Sequence, residues 1–274
     1  MIALVTDSTC YLPRSIASKL NVKIVPLSYS IFGQIFTESY SDENGNFAEL
    51  VKRYGDEAKT SQAPLSAFMS MFNELVRDGF EVLTIVMSSR LSGTYSSALA
   101  AAKAVSPDKI MVVDSLTTAY NQYLLVEKAA ELIKRGDMDL LSIAHEVEAM
   151  RESVGTVFSV GSLDALRRGG RLSIVRQSVG TVLNVRPILL LKDGALVADG
   201  VARGRLGLIR EMISRIPREV KRICVSHINN PEIFSAIKEQ IIEIYSGVEV
   251  EEWPVGPVIG IHIGISAIGI GWLK

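Results

Sequence analysis

The stretch VLTIVMSSRLSGTYSSALAAAK, from Val82 to Lys103, joins a buried strand to a helix and so indicates the fold class. Its first six residues are apolar or β-branched, whereas the residues that follow the polar centre have the composition of a helix. Apolar runs of the same kind lie at 2–8, 22–29, 82–87 and 109–115, with helical patterns between most of them. This alternation predicts parallel β-α-β units with helices on both faces of a sheet.

A change in this rhythm predicts a domain boundary after residue 154. Two consecutive helical patterns, 121–136 and 139–154, come directly before it. The fold class predicted is therefore α/β with two domains. Residues 1–154 should form a parallel β-α-β domain, and residues 155–274 an α/β domain whose sheet is antiparallel or mixed.

The second half of the chain carries a hairpin signal. Two apolar runs flank Lys192-Asp193-Gly194, and an Asp-Gly pair tolerates the positive φ angles that a tight turn demands. We also predict a helix over 173–185 and a closing strand within the glycine-studded alternation at 259–272. The hairpin is the reason for expecting antiparallel pairing in this half.

Composition and charge exclude several classes of protein. The 274 residues hold 29 basic and 30 acidic side chains, so the electrostatic excess that binding to nucleic acid or anionic membrane requires is missing. Cys10 and Cys224 stand far apart without a C-x-x-C motif, which suggests neither a disulfide nor a metal site and makes a reducing cytoplasm the expectation. Asp7 interrupts the N-terminal apolar run, and no run reaches the roughly 18 residues of a membrane span, so we expect no signal peptide and no integral membrane segment.

Polar residues collect where strands give way to helices, which is where α/β proteins place their ligand sites. The groups concerned are Asp7-Ser8-Thr9, Thr60-Ser61, Ser88 to Tyr95 and Asp114-Ser115. The N–H groups of Gly93 and Thr94, at the start of a helix, would suit a carboxylate or a phosphate, and the hydroxyl of Ser92 adds a donor. The same residue types also serve as ordinary helix caps and turns, so spacing alone leaves both readings open.

His262 interrupts the most apolar segment of the chain, GPVIGIHIGISAIGIGW. An imidazole in such surroundings needs a hydrogen-bond partner, which would be either a backbone carbonyl or a ligand carboxylate. Neither phosphate-binding glycine motif is present, and Ser92 lies in RLSGT rather than in the G-x-S-x-G of a hydrolase elbow. A serine-dependent acyl ester hydrolase that uses Ser92 and His262 is nevertheless the alternative enzyme hypothesis.

Five arginines form the densest basic groups on an otherwise balanced chain. They are Arg167, Arg168 and Arg171 around two glycines, and Arg203 and Arg205 after the hairpin. Such clusters are either solvated or receive a phosphate or an acidic partner.

Six blocks of this sequence resemble the DegV family, in order and over nearly the whole chain. They are TDST near the start, TSQAP at 60–64, SSRLSGTYSSA at 88–98, LDALRRGGRLS at 163–173, RPILLLKDG at 186–194 and GPVIGIHIG at 256–264. The resemblance implies a two-domain α/β protein that binds a long-chain fatty acid such as palmitate in an apolar tunnel, with no catalytic residue, metal or cofactor. FakB-type members present the acid to a separate fatty acid kinase, which implies that enzyme as a partner.

Carried over by position, the resemblance implies that the fatty acid carboxylate is held by Thr60, Ser92 and His262. Further contacts are expected from the polar groups beside them, namely Ser61, Gly93, Thr94, Asp7 and Ser8. A docking face for the kinase is expected at Arg167, Arg168, Arg171, Arg203 and Arg205. The chain departs from the family pattern T-H-x-G-P-G, because His262 is followed by Ile263-Gly264-Ile265-Ser266 and preceded by Ile261.

Overall fold

The structure is a computed structural model that describes residues 1–171 and 185–274. The helix predicted over 173–185 lies outside the described residues except for Val185, which begins a strand. The described strands are β1 Ile2–Asp7, β2 Val22–Val25, β3 Leu27–Ile31, β4 Gln34–Glu38, β5 Ala58–Ser61, β6 Glu81–Val86, β7 Ile110–Asp114, β8 Val154–Ser159, β9 Val185–Lys192, β10 Ala195–Arg203, β11 Arg222–His227, β12 Glu249–Glu252 and β13 Ile268–Leu273. The described α-helices are α1 Arg14–Lys19, α2 Phe47–Tyr54, α3 Leu65–Arg77, α4 Thr94–Val105, α5 Ala119–Arg135, α6 Leu140–Met150, α7 Asp164–Arg168, α8 Gly204–Ile213, α9 Pro231–Ile244 and α10 Pro257–Ile263.

The first sheet is parallel throughout and has the strand order β2-β1-β6-β7, which confirms the α/β prediction for this part of the chain. Alternate residues of β6 enter two different cores: Leu83 and Ile85 pack with α5 and α6, whereas Val82 and Val86 pack with α3 and α4. Both faces of the sheet are therefore covered by helices. This is why the strands read as unbroken apolar runs rather than as alternating ones.

The second sheet is mixed and has the order β10-β9-β8-β13-β11-β12. Its β9–β10 pair is the predicted hairpin, and Asp193 and Gly194 take φ angles of 48° and 78° in the turn. Only β11 and β12 run parallel among its described pairs. The prediction of a sheet with antiparallel pairing in this half is confirmed.

The single strand predicted over 22–29 is wrong, because the run is two strands of different sheets. Pro26 lacks a backbone N–H and separates β2, in the parallel sheet, from β3. β3 pairs with β4 and β5 in a third, antiparallel sheet of three strands that the sequence did not predict.

The closing strand predicted over 259–272 is also wrong in its first half. Pro257 stands in the first turn of α10, where its missing N–H costs nothing, and the helix ends at Gly264, whose φ is 78°. Only Ile268–Leu273 forms a strand, β13. The His262 side chain is therefore presented by a short helix instead of by a sheet.

The predicted boundary after residue 154 coincides with the start of the mixed sheet, since β8 begins at Val154. The C-terminal helix nevertheless returns to the first half of the chain, where Ile261 packs with Tyr29, Ile31 and Val51 beneath the three-stranded sheet. The division into two domains stays a prediction, and α10 would cross it.

Candidate functional site

A cavity of about 430 Å³ lies where the three sheets meet. This volume is within the usual range for small-molecule sites. Its walls are mainly aliphatic and aromatic side chains from both halves of the chain. They include Leu27, Leu91, Phe158, Leu166, Leu191, Leu196, Ile228, Val258, Ile259, Ile263 and Ile268.

One end of the cavity is polar and contains two of the three predicted head-group residues in direct contact. The side chain of Thr60, near the end of β5, lies 2.7 Å from Nε2 of His262, measured from Oγ1. The other ring nitrogen, Nδ1, is buried and has no hydrogen-bond partner among the described residues. A Cβ added at Gly169 would come within 2.2 Å of this Nδ1, so only glycine at 169 leaves room for the imidazole in this position.

Burial lowers the pKa of His262 to about 4, and the nearby positive charge of Arg171 lowers it further in the same direction. The imidazole is therefore neutral at physiological pH and offers one N–H donor and one acceptor. A carboxylate at this end would receive a hydrogen bond from the ring, not a full positive charge.

Ser92 belongs to the same end of the cavity and is linked to Thr94 on the first turn of α4. The two hydroxyl oxygens are 2.9 Å apart, and the Thr94 hydroxyl accepts a hydrogen bond from the N–H of Ala63 at 3.3 Å. Gly93 lies so close to Gln62 that an added Cβ would meet its Oε1 at 2.0 Å. These contacts join the loop after β6 to the loop after β5 and place Ser92, Gly93 and Gln62 along one wall.

The density of hydroxyls over residues 88–95 has a second structural cause. The Ser88 hydroxyl is fully buried and donates to the carbonyl of Gly194 at 2.7 Å, which attaches the β9–β10 turn to the parallel-sheet half. One serine of the cluster therefore joins the two halves of the fold, while Ser92 faces the cavity.

Arg171 lines the cavity, although the sequence grouped it with the arginines of a docking face. Its Nε donates to the carbonyl of Leu91 at 3.1 Å, and its Nη1 donates to the carbonyl of Gly169. The guanidinium is thus held at the polar end by backbone carbonyls. It supplies positive charge there, which the neutral His262 does not.

The other four arginines predicted for docking are not among the cavity-lining residues. Arg167 pairs with Asp164, Arg168 with Asp56 at 2.8 Å and Arg205 with Glu232 at 3.5 Å. Arg203 is exposed at the end of β10. Helix α7, which carries Arg167 and Arg168, packs against α10 and therefore lies beside the polar end of the cavity.

The remaining predicted contacts divide into two groups. Ser61 and Gly93 line the cavity, whereas the fully buried side chain of Thr94 reaches it only through Ser92. Asp7 and Ser8 are fully buried and do not line it. Asp7 accepts hydrogen bonds from the N–H groups of Thr9 and Met87 and from the Thr9 hydroxyl, so its oxygens are occupied within the fold.

Sequence reasoning missed a carboxyl group that holds the helix of His262. Glu38, at the end of β4, is fully buried and accepts from the N–H of Val258 in the first turn of α10 at 2.7 Å and from the Ser8 hydroxyl at 3.0 Å. Tyr11 accepts from the next amide, that of Ile259, at 3.1 Å. Burial raises the pKa of Glu38 to about 7, and no local pattern around residue 38 could have indicated these distant partners.

The hydrolase alternative requires a nucleophile and a base within hydrogen-bond reach of each other. Among the described hydrogen bonds, Ser92 pairs with Thr94 and His262 pairs with Thr60. The two residues share one end of the cavity without being joined, so this geometry favours binding over catalysis.

The fold and the cavity together define a mixed α/β protein with an apolar chamber that is polar at one end. The chain belongs to the DegV family, whose members carry the general description of uncharacterised proteins and whose family model matches residues 1–274. The DegV domain-containing protein of Halalkalibacterium halodurans is 34% identical over 99% of this chain and 98% of its own length. Matches to DegV domain-containing proteins of Streptococcus pneumoniae and Clostridium acetobutylicum, at 35% and 37% identity, span only 42% and 41% of those relatives.

Solved structures share the fold over the whole chain. DegV of Bacillus subtilis, described as a fatty acid-binding protein, is 34% identical with a TM-score of 0.84 and covers 100% of this chain and 99% of its own. A DegV family protein of Thermus thermophilus, described by its fatty acid binding, is 30% identical with a TM-score of 0.88 and the same coverage.

Two searches of the described residues were negative. None of the helices in 1–171 and 185–274 is both long and apolar enough to cross a bilayer. Within the same ranges, no group of three or more His, Cys, Asp or Glu side chains is arranged to hold a metal ion.

Proposed function

We propose that this chain binds a long-chain fatty acid in the cavity, with the carboxylate at the end formed by Thr60, Ser92 and His262. The observation that carries the proposal is the asymmetry of the cavity, which has apolar walls and one polar end where a buried imidazole nitrogen lacks a partner. The fatty acid binding described for relatives of 30–34% identity supports it.

The energetics suit such a ligand. Burying the chain of a C16 acid at ~0.8 kcal/mol per methylene provides roughly 10 kcal/mol before the costs of association. The apolar walls can therefore supply most of the affinity. The hydroxyls, the neutral His262 and the charge of Arg171 then fix the orientation of the carboxylate.

The decisive experiment is the identification of the ligand in protein purified without added lipid. Denaturing extraction followed by mass spectrometry should recover about one fatty acid per chain. Purified protein that is empty, and that cleaves an activated ester at a rate dependent on Ser92, would instead establish the hydrolase.

The head-group assignment predicts a loss of affinity from two small substitutions. Ser92→Ala and Thr60→Ala should each remove a hydrogen bond to a charged acceptor and weaken palmitate binding by about 1.5–3 kcal/mol, with little change in thermal unfolding. Titration calorimetry on delipidated protein measures the effect. Ser96→Ala, on the exposed side of the same helix α4, is the matched control and should bind as the wild type does. Unchanged affinity in both site variants would mean that the carboxylate lies elsewhere.

We further propose that the arginine-bearing face beside α10 presents the acyl carboxylate to a fatty acid kinase. Charges at the rim of an interface act mainly on the encounter rate and its salt dependence. Reversing Arg167 and Arg168 to Glu should therefore leave fatty acid binding intact while slowing acyl phosphate formation by a cognate kinase, most strongly at low salt. A wild-type rate in the double variant would place the kinase on another face, and loss of both activities would assign the arginines to the fold.

A further inference from the structure

A second polar position lies on the cavity wall, away from the end that carries His262. Asn121 on the first turn of α5 is 2% exposed and lines the cavity, and its Oδ1 has no hydrogen-bond partner in the described part of the chain. Its Nδ2 donates to the hydroxyl oxygen of Thr156 at 2.7 Å. The pair thus offers an acceptor, Oδ1, and a donor, the O–H of Thr156, side by side.

The cost of an unpaired buried amide oxygen makes this arrangement informative. Leaving such a group without a partner costs about 1–3 kcal/mol, and folded proteins seldom retain one. Gly271 on β13 permits the close approach, since a Cβ there would stand 3.0 Å from the same Oδ1. The wall is therefore built around an acceptor that points to no described protein donor.

The position of the pair follows from the strand register. Thr156 and Phe158 lie on one face of β8 and both line the cavity, while β8 ends at Ser159, close to the turn that leads to α7 and Gly169. Three residues of strand place Thr156 about 10 Å behind that end. Three single bonds of an extended chain span about 3.5 Å, so this distance corresponds to about nine bonds of an acyl chain.

We propose that the cavity selects an acyl chain with a hydroxyl group in its distal half, about ten or more carbons from the carboxylate. A hydroxyl is both donor and acceptor, and it would donate to Asn121 Oδ1 while accepting from the Thr156 hydroxyl. A saturated chain leaves both groups unpaired. This inference rests on the proposed fatty acid function and adds to it the class of chain that fits.

Competition calorimetry on delipidated protein tests the proposal with three acids of equal length. We expect 12-hydroxyoctadecanoic acid to bind about tenfold tighter than octadecanoic acid, because two buried groups gain partners. The matched isomer 2-hydroxyoctadecanoic acid carries its hydroxyl at the head group and should show no such gain. In the Asn121→Leu variant the preference should reverse, because the distal hydroxyl would be buried without its acceptor.

The controls separate the ways in which the inference can fail. Thr156→Val, which keeps the side-chain shape, should abolish the preference even if Asn121→Leu does not fold. Ser226→Ala removes another cavity-lining hydroxyl, one that contacts Cys224, and should leave the ratio of affinities within about twofold. Tight binding of octadecanoic acid with no gain from the 12-hydroxyl would overturn this inference alone and indicate a bound water at Asn121. Absence of binding by all three acids would overturn the fatty acid function as well.

Discussion

Replacing Leu191 with Trp should weaken the binding of octadecanoic acid by a hundredfold or more. Leu191 lines the cavity from β9 and is paired in register with Thr156 on β8, which places it in the part of the cavity away from His262. An indole there would occupy the space of about four methylenes of the acyl chain. At about 0.8 kcal/mol each, their exclusion costs about 3 kcal/mol, and 1.4 kcal/mol corresponds to a factor of ten.

The effect should depend on chain length, which distinguishes a blocked chamber from a damaged fold. Decanoic acid does not reach the obstructed region and should bind the Leu191→Trp variant about as well as it binds the wild type. Leu206→Trp is the matched control, because Leu206 is 77% exposed on α8. Calorimetry with both acids measures the contrast. A folded Leu191→Trp protein that keeps its affinity for octadecanoic acid would show that the chain does not occupy this cavity.

Replacing Glu38 with Ala should lower the free energy of unfolding by about 3 kcal/mol. The substitution leaves the buried N–H of Val258 and the Ser8 hydroxyl without an acceptor, and each unsatisfied group costs about 1–3 kcal/mol. Glu43→Ala is the control, since Glu43 is exposed and pairs with Arg14 at the surface, where such pairs contribute about 1 kcal/mol or less. Urea unfolding monitored by circular dichroism gives both values. Equal destabilisation by the two substitutions would contradict a special role for Glu38.

The pH dependence of stability tests the same carboxyl group through the isosteric variant Glu38→Gln. Burial raises the pKa of Glu38 from 4.5 to about 7, so between these values the folded chain keeps a proton that the unfolded chain has released. The free energy of unfolding of the wild type should therefore fall relative to the variant as pH rises from 4.5 to 7. The expected relative loss is about 3 kcal/mol, at about 1.4 kcal/mol per pH unit.

Two other groups make the comparison between the proteins necessary. Burial, with help from Arg171, lowers the pKa of His262 from 6.5 to about 4, so its contribution rises with pH over that window and opposes that of Glu38. Burial also raises the pKa of Asp7, which adds a falling contribution. Both groups are present in wild type and variant, so they cancel from the difference. A difference that stays constant from pH 4.5 to 7 would refute the raised pKa of Glu38.

Local periodicity was sufficient to predict the elements of the parallel sheet and the β9–β10 hairpin. Strand runs such as 82–87, helical runs such as 65–79 and the turn at Asp193-Gly194 are encoded within a few residues, and the structure reproduces them. The prediction failed where a local signal was ambiguous. Pro26 divides one apolar run between two sheets, and Pro257 begins a helix inside a segment whose alternation of glycine and isoleucine resembles a strand.

The sequence by itself determined the α/β class, the polar loops after the strands and, through resemblance, the residues from which a head-group site would be built. Only the tertiary structure decided which of them meet. Thr60 and His262 are 202 positions apart, and their contact depends on Glu38 holding α10 beneath the three-stranded sheet. Arg171 enters the cavity while its neighbours Arg167 and Arg168 form ion pairs outside it, although the three belong to one basic cluster in the sequence. The physical reason is that periodicity specifies the face of an element, whereas the partners of a buried polar group are set by packing between elements that are remote in the chain.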